Sequence, residues 1–517
     1  MSGSTSAGAA RVSEICVNWG RRGWRAAIAA CVALLAIFVT GHARATPWAE
    51  VGDMQLRSDI QVLASAGLID NVTMQWPMPW GGIVANLDKV DSLEGYPEYV
   101  REAAERVEDR ARREVQTDRM HYDLSADFTN KPNVVRTFDG LGREDAQGSV
   151  AAEWMGNNTA LRIQVGTQTL NHYDHQALML DGSYLTQRVG NVAIYVGYQT
   201  HWWGPGWDTA LSLSNNARPF PQIGYRRLST KAFTWPILRW LGPWNHDHFF
   251  GIFNDPRTAR NTLFHGTRFE FNPFKGFEFA IARLTEFCGT GHPCNPGDLF
   301  NVRNSAAHQS KTKDEADLDF RYTNTFQGFT YEIYNQEMDR DTGPFVHSDT
   351  SHLFGIGVWA PVRNTAVHFI AEYADTISTE NFFSFGKDFY GITYNDFKYV
   401  DGWQYRGRTL GSSLDTDSRL ASFHASWLGP QNIIYTLSYY RAWIGSPGTN
   451  IEGSSISASG YGNRVTTAPV TIDIGEARMK FPLKKLSVEL AVRLQDDQPR
   501  PDHGFAAAGE LSINYQL

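Results

Sequence analysis

Cysteine is scarce in this chain of 517 residues: there are four, and two of them, Cys16 and Cys31, fall in a leading segment that reads as removable. So few thiols exclude a disulfide-stapled scaffold and a multi-cysteine zinc module. Long apolar runs are missing too. The longest, Ala26 to Thr40, has 15 residues, short of the roughly 20 needed to cross a bilayer as a helix, so a helical membrane bundle is excluded. Positive charge is also lacking. The 47 Lys and Arg against 55 Asp and Glu leave a net charge of −8, which argues against nucleic acid as a partner.

An export signal stands at the start. Arg21, Arg22 and Arg25 precede the apolar run, and Ala43-Arg44-Ala45 offers a small-x-small cleavage site, the layout of a secretory signal peptide. Residues 1–45 are therefore expected to be cleaved, leaving a chain that begins at Thr46. They carry five Arg and one Glu, a net +4, so the remainder has −12. The two remaining cysteines, Cys288 and Cys294, sit in Cys-Gly-Thr-Gly-His-Pro-Cys, and in an oxidising compartment this spacing predicts a disulfide closing a small loop. Two thiols and one His supply too few ligands for zinc, and no metal or cofactor is expected.

Helical periodicity is confined to the beginning of the mature chain. Leu56, Ile60, Leu63 and Leu68 fall on one face of a segment ending near Gly67, and Pro97 to Val115 is a Glu- and Arg-rich stretch of helix-compatible pattern. Residues 46–118 are thus expected to form a small helical segment with a periplasmic address. From residue 119 to 517 the period changes to two. Leu486, Val488, Leu490, Val492 and Leu494 alternate with Ser487, Glu489, Ala491 and Arg493, and similar runs recur at Leu161-Ile163-Val165, Phe277-Phe279-Ile281 and Tyr435-Leu437-Tyr439. With 13% aromatic residues crowding strand ends and loops like interfacial girdles, and an alternating terminal run Leu511-Ser-Ile513-Asn-Tyr515-Gln-Leu517, the pattern predicts an all-β outer-membrane barrel. Its last strand is of the kind recognised by the insertion machinery, although Leu517 replaces the usual terminal aromatic. About 400 residues at roughly 22 per strand and connection allow about 18 antiparallel strands in a monomer embedded in outer-membrane lipid.

Two segments concentrate side chains suited to a sugar. The first runs from Asp181 through Arg188 and His201-Trp202-Trp203-Gly-Pro-Gly206 to Asn215-Asn216-Ala-Arg218. Trp faces stack on sugar rings or anchor at an interface, and Asn and Arg hydrogen-bond hydroxyls and acids. In the second, Asp401-Gly-Trp-Gln-Tyr-Arg406-Gly-Arg408-Thr-Leu-Gly411, Arg406 and Arg408 would share one face of a strand. That face would have to be the lumen, because charges toward lipid are costly. Trp202, Trp203, Asn215, Asn216, Arg218, Arg406 and Arg408 are the candidate polysaccharide contacts, with an aromatic belt and cross-barrel ion pairs as the structural alternatives.

Pro47-Trp48, Leu56-Arg-Ser-Asp59, Gln75-Trp-Pro77, Gly182-Ser-Tyr-Leu185, Trp202-Trp-Gly-Pro-Gly206, Asn215-Asn-Ala-Arg-Pro219, Glu372-Tyr-Ala-Asp375 and Tyr405-Arg-Gly-Arg-Thr-Leu-Gly411 follow in order over most of the mature chain. This pattern resembles that of the Wzi family of capsule-assembly outer-membrane proteins, from which the Cys288 to Cys294 loop departs. The resemblance implies a barrel of about 18 strands with a small periplasmic helical element. It also implies a lectin-like role, binding and organising capsular or exopolysaccharide at the cell surface without catalysis.

Enzyme readings are poor. His246-Asp-His248 offers alternate residues without a second ligand cluster, no Gly-x-Ser-x-Gly elbow is present, and His424 with Ser426 lies on a single strand. Glu337, Asp339 and Asp341 read as a solvated charge cluster rather than a glycosidase pair. A diffusion pore for sugars or other solutes is the main alternative class, and a barrel-borne hydrolase a third.

Overall fold

The computed structural model describes residues 48–516 apart from 171–173, 296, 298–311, 341–348, 382–384, 397, 430–431, 450–454, 457–461 and 497–503. The expected signal peptide and Asp341 lie outside the described residues.

The period-two runs form the staves of one closed antiparallel barrel. Twenty strands lie in the ring, and two short ones, Leu178–Met179 and Phe385–Phe389, are bypassed where their neighbours pair directly, which leaves eighteen full staves. The terminal run Phe505–Gln516 closes the ring on Met120–Thr129, with Leu511 opposite Phe128.

The two faces of the wall are inverted relative to a soluble protein. Leu437 and Val492 are 63% and 60% exposed, whereas Arg226, Arg268, Arg321 and Arg493 are fully buried. Apolar residues out and charged residues in is the arrangement of a wall with lipid outside and protein inside. Arg493 illustrates it within one predicted strand, pointing inward between the outward Val492 and Leu494.

Connections at one end are short: 275–276, 327–328, 363–364 and 484–485 join adjacent staves. Gln327 and Gly328 both have positive φ (50° and 84°), as a tight two-residue hairpin turn requires. The exception at this end is 228–243, which carries exposed Trp235, Ile237 and Trp240. The opposite end bears the long connections, including 130–145, 198–221 and 390–418.

The N-terminal segment folds into three helices, α1 (Met54–Ala66), α2 (Trp80–Leu87) and α3 (Glu98–Glu114). In α1, Asp53 caps the first turn by accepting from the Leu56 N–H (3.0 Å), and Gly67 ends it at φ 78°. Leu56, Ile60 and Leu63 form its buried face as their spacing predicts. Its other face is buried as well, from Arg57 to Ser65, because the helix lies against the barrel interior. Trp359 Nε1 donates to Ser58 (2.8 Å), and Arg321 donates to Gln61. A bidentate pair from Arg106 to Asp59 fastens α3 to α1, while the Tyr99 hydroxyl reaches Thr330 (2.8 Å) and the carbonyl of Gly328 (3.1 Å), at the short-turn end.

The long connections 130–145, 198–221 and 390–418 fold inward, the first two meeting Arg57 of α1, so the lumen holds an apolar core. Trp76, Trp202, Trp203, Trp207 and Trp403 have essentially no exposed surface, and Phe138, Leu211 and Tyr394 join them. This corrects the expectation that loop aromatics form interfacial girdles: much of the Trp content packs the plug. Gln75–Trp76 pairs as a short strand with Trp202–Trp203, so the motif read as a turn is a ladder between the N-terminal segment and an inward loop. His246 and His248 occupy not a loop but the stave Trp244–Phe253, alternating with the buried Asp247, which Arg226 holds inside. On the outer wall, the Tyr225 hydroxyl and Thr267 Oγ1 flank His246 at 3.2 and 3.0 Å.

Candidate functional site

The site residues named from the sequence separate into two groups. Trp202 and Trp203 are wholly buried. Trp202 packs edge-on to Phe138 (5.3 Å between centroids) and donates from Nε1 to the Gly206 carbonyl (3.0 Å), and Trp203 lies against Phe249. With no accessible ring face they serve architecture. Asn215 donates to the carbonyls of Thr137 and Asp139, and Asn216 donates to that of Thr409 (2.8 Å). Their amides therefore tie the three inward loops together.

The arginines form the second group. Arg218 is pinned between Asp174 and Asp181, both at 2.9 Å. Burial disfavours its charge, but Asp181 and Asp174 outweigh that and hold its pKa above the usual value. The expectation of a single strand through Arg406 and Arg408 is corrected. Gln404–Tyr405 pairs with Arg408–Thr409 in a hairpin, and Arg406 and Gly407 make the turn at φ 50° and 75°. A run of alternating large and small residues fits either form, and the Arg-Gly pair decides for the turn. Arg406 approaches Asp174 (3.3 Å), and Arg408 approaches Glu144 (3.0 Å) and donates to the Arg143 carbonyl (2.7 Å).

Of these side chains only Asp181 lines the cavity of about 190 Å³ beside them, whose wall is Ser125, Asp127, Arg143, Gln147, Ser149, Gln164, Asp181 and Asn514, with Gly140, Gly148, Gly166 and Met179. It lies in the half of the barrel nearer the long connections, since Asp127 and Gln147 stand close to the stave ends that lead into 130–145. Sequence reasoning missed it. Ser125, Gln147, Ser149 and Gln164 alternate with outward Leu124, Val150 and Val165, so parity alone marks them as lumen-facing, but nothing in the sequence shows that their rows coincide. The register supplies that, placing Ser125 opposite Ser149 and Ser149 opposite Gly166. The lining is hydrogen-bonded internally. Gln147 donates to Asp127 (3.1 Å) and accepts from the Arg143 N–H (3.1 Å), Gln164 donates to Ser149 (2.9 Å), and the Ser125 and Ser149 hydroxyls are 2.7 Å apart. Such a wall of amides, hydroxyls, one guanidinium and two carboxylates is suited to a polyhydroxylated guest.

Cys288 and Cys294 are joined by a disulfide, and the Tyr399 hydroxyl donates to the Cys288 carbonyl (3.0 Å), binding that loop to 390–418. Among the described residues no cluster of three or more metal-ligating side chains occurs.

A protein of Klebsiella pneumoniae described as an uncharacterized 55.8 kDa protein in the cps region is 25% identical over 346 residues, 63% of this chain. The match spans 65% of that protein's length. Wzi of Escherichia coli, an outer-membrane protein involved in group 1 capsule assembly and described as a carbohydrate-binding β-barrel, has a similar fold. The two superpose with a TM-score of 0.75 at 20% identity, covering 91% of this chain and 99% of that one. The wall is thus that of an outer-membrane barrel. Because the model of the capsule assembly protein Wzi matches residues 117–496, nearly the whole barrel, the chain belongs to the Wzi capsule-assembly family.

Proposed function

We propose that this chain binds and organises capsular or exopolysaccharide at the outer face of the outer membrane, without catalysis. The observation that carries this reading is the polar cavity, lined by Arg143, two carboxylates, amides and hydroxyls, on the long-connection side of a barrel whose centre is filled by Trp-rich loops. Family membership supports it, as does the carbohydrate binding described for the Escherichia coli protein of the same fold. In barrels of this kind short turns face the periplasm and long loops the outside. By that rule α3, at the short-turn end, addresses the periplasm, α1 reaches into the lumen, and the cavity lies toward the cell surface. The barrel is proposed to act as a monomer.

Deleting the gene is expected to shift surface polysaccharide from the cell-associated fraction to the medium, and complementation to return it. Unchanged amounts in both fractions would defeat the attachment reading. The rival reading, a solute pore, is disfavoured by the buried Trp202, Trp203 and Trp207 at the barrel centre.

A further inference from the structure

Among the described residues Arg143 is the cation that lines the cavity, and its one carboxylate neighbour is loosely held. Glu144 is taken by Arg408, Asp174 by Arg218 and Arg406, and Asp181 by Arg218 at 2.9 Å. Arg136 is spent on the carbonyls of Leu141 and Gly142. The Arg143 Nε donates to the Asn215 carbonyl (3.0 Å), but the carboxylate it faces, that of Asp181, is 3.9 Å from Nη1, beyond hydrogen-bond range. Burial, with Arg136, Arg408 and Arg218 crowding it against the pull of Asp181, draws the pKa of Arg143 down to about 9. A guanidinium so placed gains most from an anion that enters with its own hydrogen-bond acceptors.

The cavity's size limits what that anion can be. At about 190 Å³ it is smaller than the roughly 300–1,000 Å³ of pockets for drug-sized ligands, and suits one sugar ring rather than an oligosaccharide. Its remaining wall is not anion-seeking. Asp127 presents a carboxylate that accepts from Gln147, and Ser125, Ser149, Gln164 and Asn514 supply neutral polar groups. The guest must therefore be an acid at the Arg143 side and a polyol at the Asp127 side.

We propose that the cavity is a subsite for one uronic-acid residue of the polymer, its carboxylate held by Arg143 and its hydroxyls by Asp127, Gln147, Gln164 and the Ser125–Ser149 pair. This inference rests on the polysaccharide-binding reading above. The test uses the full chain purified in detergent micelles. The probe is the producing strain's own surface polysaccharide, offered native and after chemical reduction of its uronate carboxyls to primary alcohols. Reduction is expected to weaken binding about ten- to hundredfold, the worth of one charge-assisted hydrogen bond. Arg143→Gln should weaken binding of the native polymer by the same factor and become indifferent to reduction, and Arg143→Lys should keep the preference for the native form. Equal binding of the two polymers by the unaltered chain, or an undiminished carboxylate preference in Arg143→Gln, overturns the uronate assignment while leaving attachment standing. Failure of the native polymer to bind at all overturns both. Because the reduced-polymer comparison uses the unaltered chain, it holds even if a variant fails to insert.

Discussion

Replacing Trp207 with alanine is expected to unlock the plug at a cost of roughly 3–5 kcal/mol. Trp207 is fully buried, stands 4.8 Å from the ring of His368 and 6.2 Å from that of Trp359, and is covered by the Arg57 guanidinium of α1 at 4.3 Å. Its Nε1 donates to Glu332 (2.6 Å), and its backbone N–H donates to Glu372. Truncation removes the ring's contacts and takes one hydrogen bond from the buried Glu332 carboxylate, which keeps Arg321 at 3.5 Å, so a cavity term and a lost-hydrogen-bond term add. Phe at this position keeps most of the volume and loses only the donor, and should cost about 1–3 kcal/mol. The wall should survive in both variants, since every stave is hydrogen-bonded on both sides. The discriminating measurements are limited proteolysis of residues 198–221 and planar-bilayer conductance, which should rise in Trp207→Ala alone. A plug as protected in Trp207→Ala as in the parent would show that these contacts do not hold it.

The second large effect is expected at the seam of the barrel. Arg493, fully buried, bridges Glu476 (3.0 Å) and Glu510 (2.7 Å) across the staves Val470–Leu483, Leu486–Asp496 and Phe505–Gln516, and donates to the Lys131 carbonyl of an inward loop (2.8 Å). Arg493→Met leaves the Glu510 carboxylate without its cation, while Glu476 keeps Arg478 at 2.5 Å. Breaking a buried pair in this way costs about 3–5 kcal/mol, more than the intact pair contributes over an apolar replacement. The urea midpoint of folding in micelles should therefore fall, and Glu510→Gln in the Arg493→Met background should recover most of the loss. If that double variant is no more stable than Arg493→Met, the loss comes from packing rather than from stranded charge.

How far the sequence alone reveals this molecule depends on which physical signal is local. The staves are legible because parity is written residue by residue: Leu490, Val492 and Leu494 outward, Ala491 and Arg493 inward. Helix α1 is legible from the spacing of Leu56, Ile60 and Leu63. The plug is not. Trp202 and Trp203 look the same in sequence whether they sit at a lipid interface or pair with Gln75–Trp76 inside the lumen, because that pairing joins segments more than 120 residues apart. The same holds for the cavity. Arg143 carries no motif, and its role depends on Asp181, Arg218 and Arg408 arriving from three separate connections. Arg406 and Arg408 were identifiable as inward-facing charges, but the backbone beneath them is a hairpin, and the Arg-Gly turn that makes it so is a two-residue signal within an alternating run.

The central claim, that the barrel holds polysaccharide without altering it, is tested most directly by sedimenting the purified chain in micelles with size-fractionated surface polysaccharide and determining the chain length of bound and free polymer. Saturable co-sedimentation of polymer whose length is unchanged is the predicted result. Polymer that stays in the supernatant, or that is recovered shortened, would contradict it.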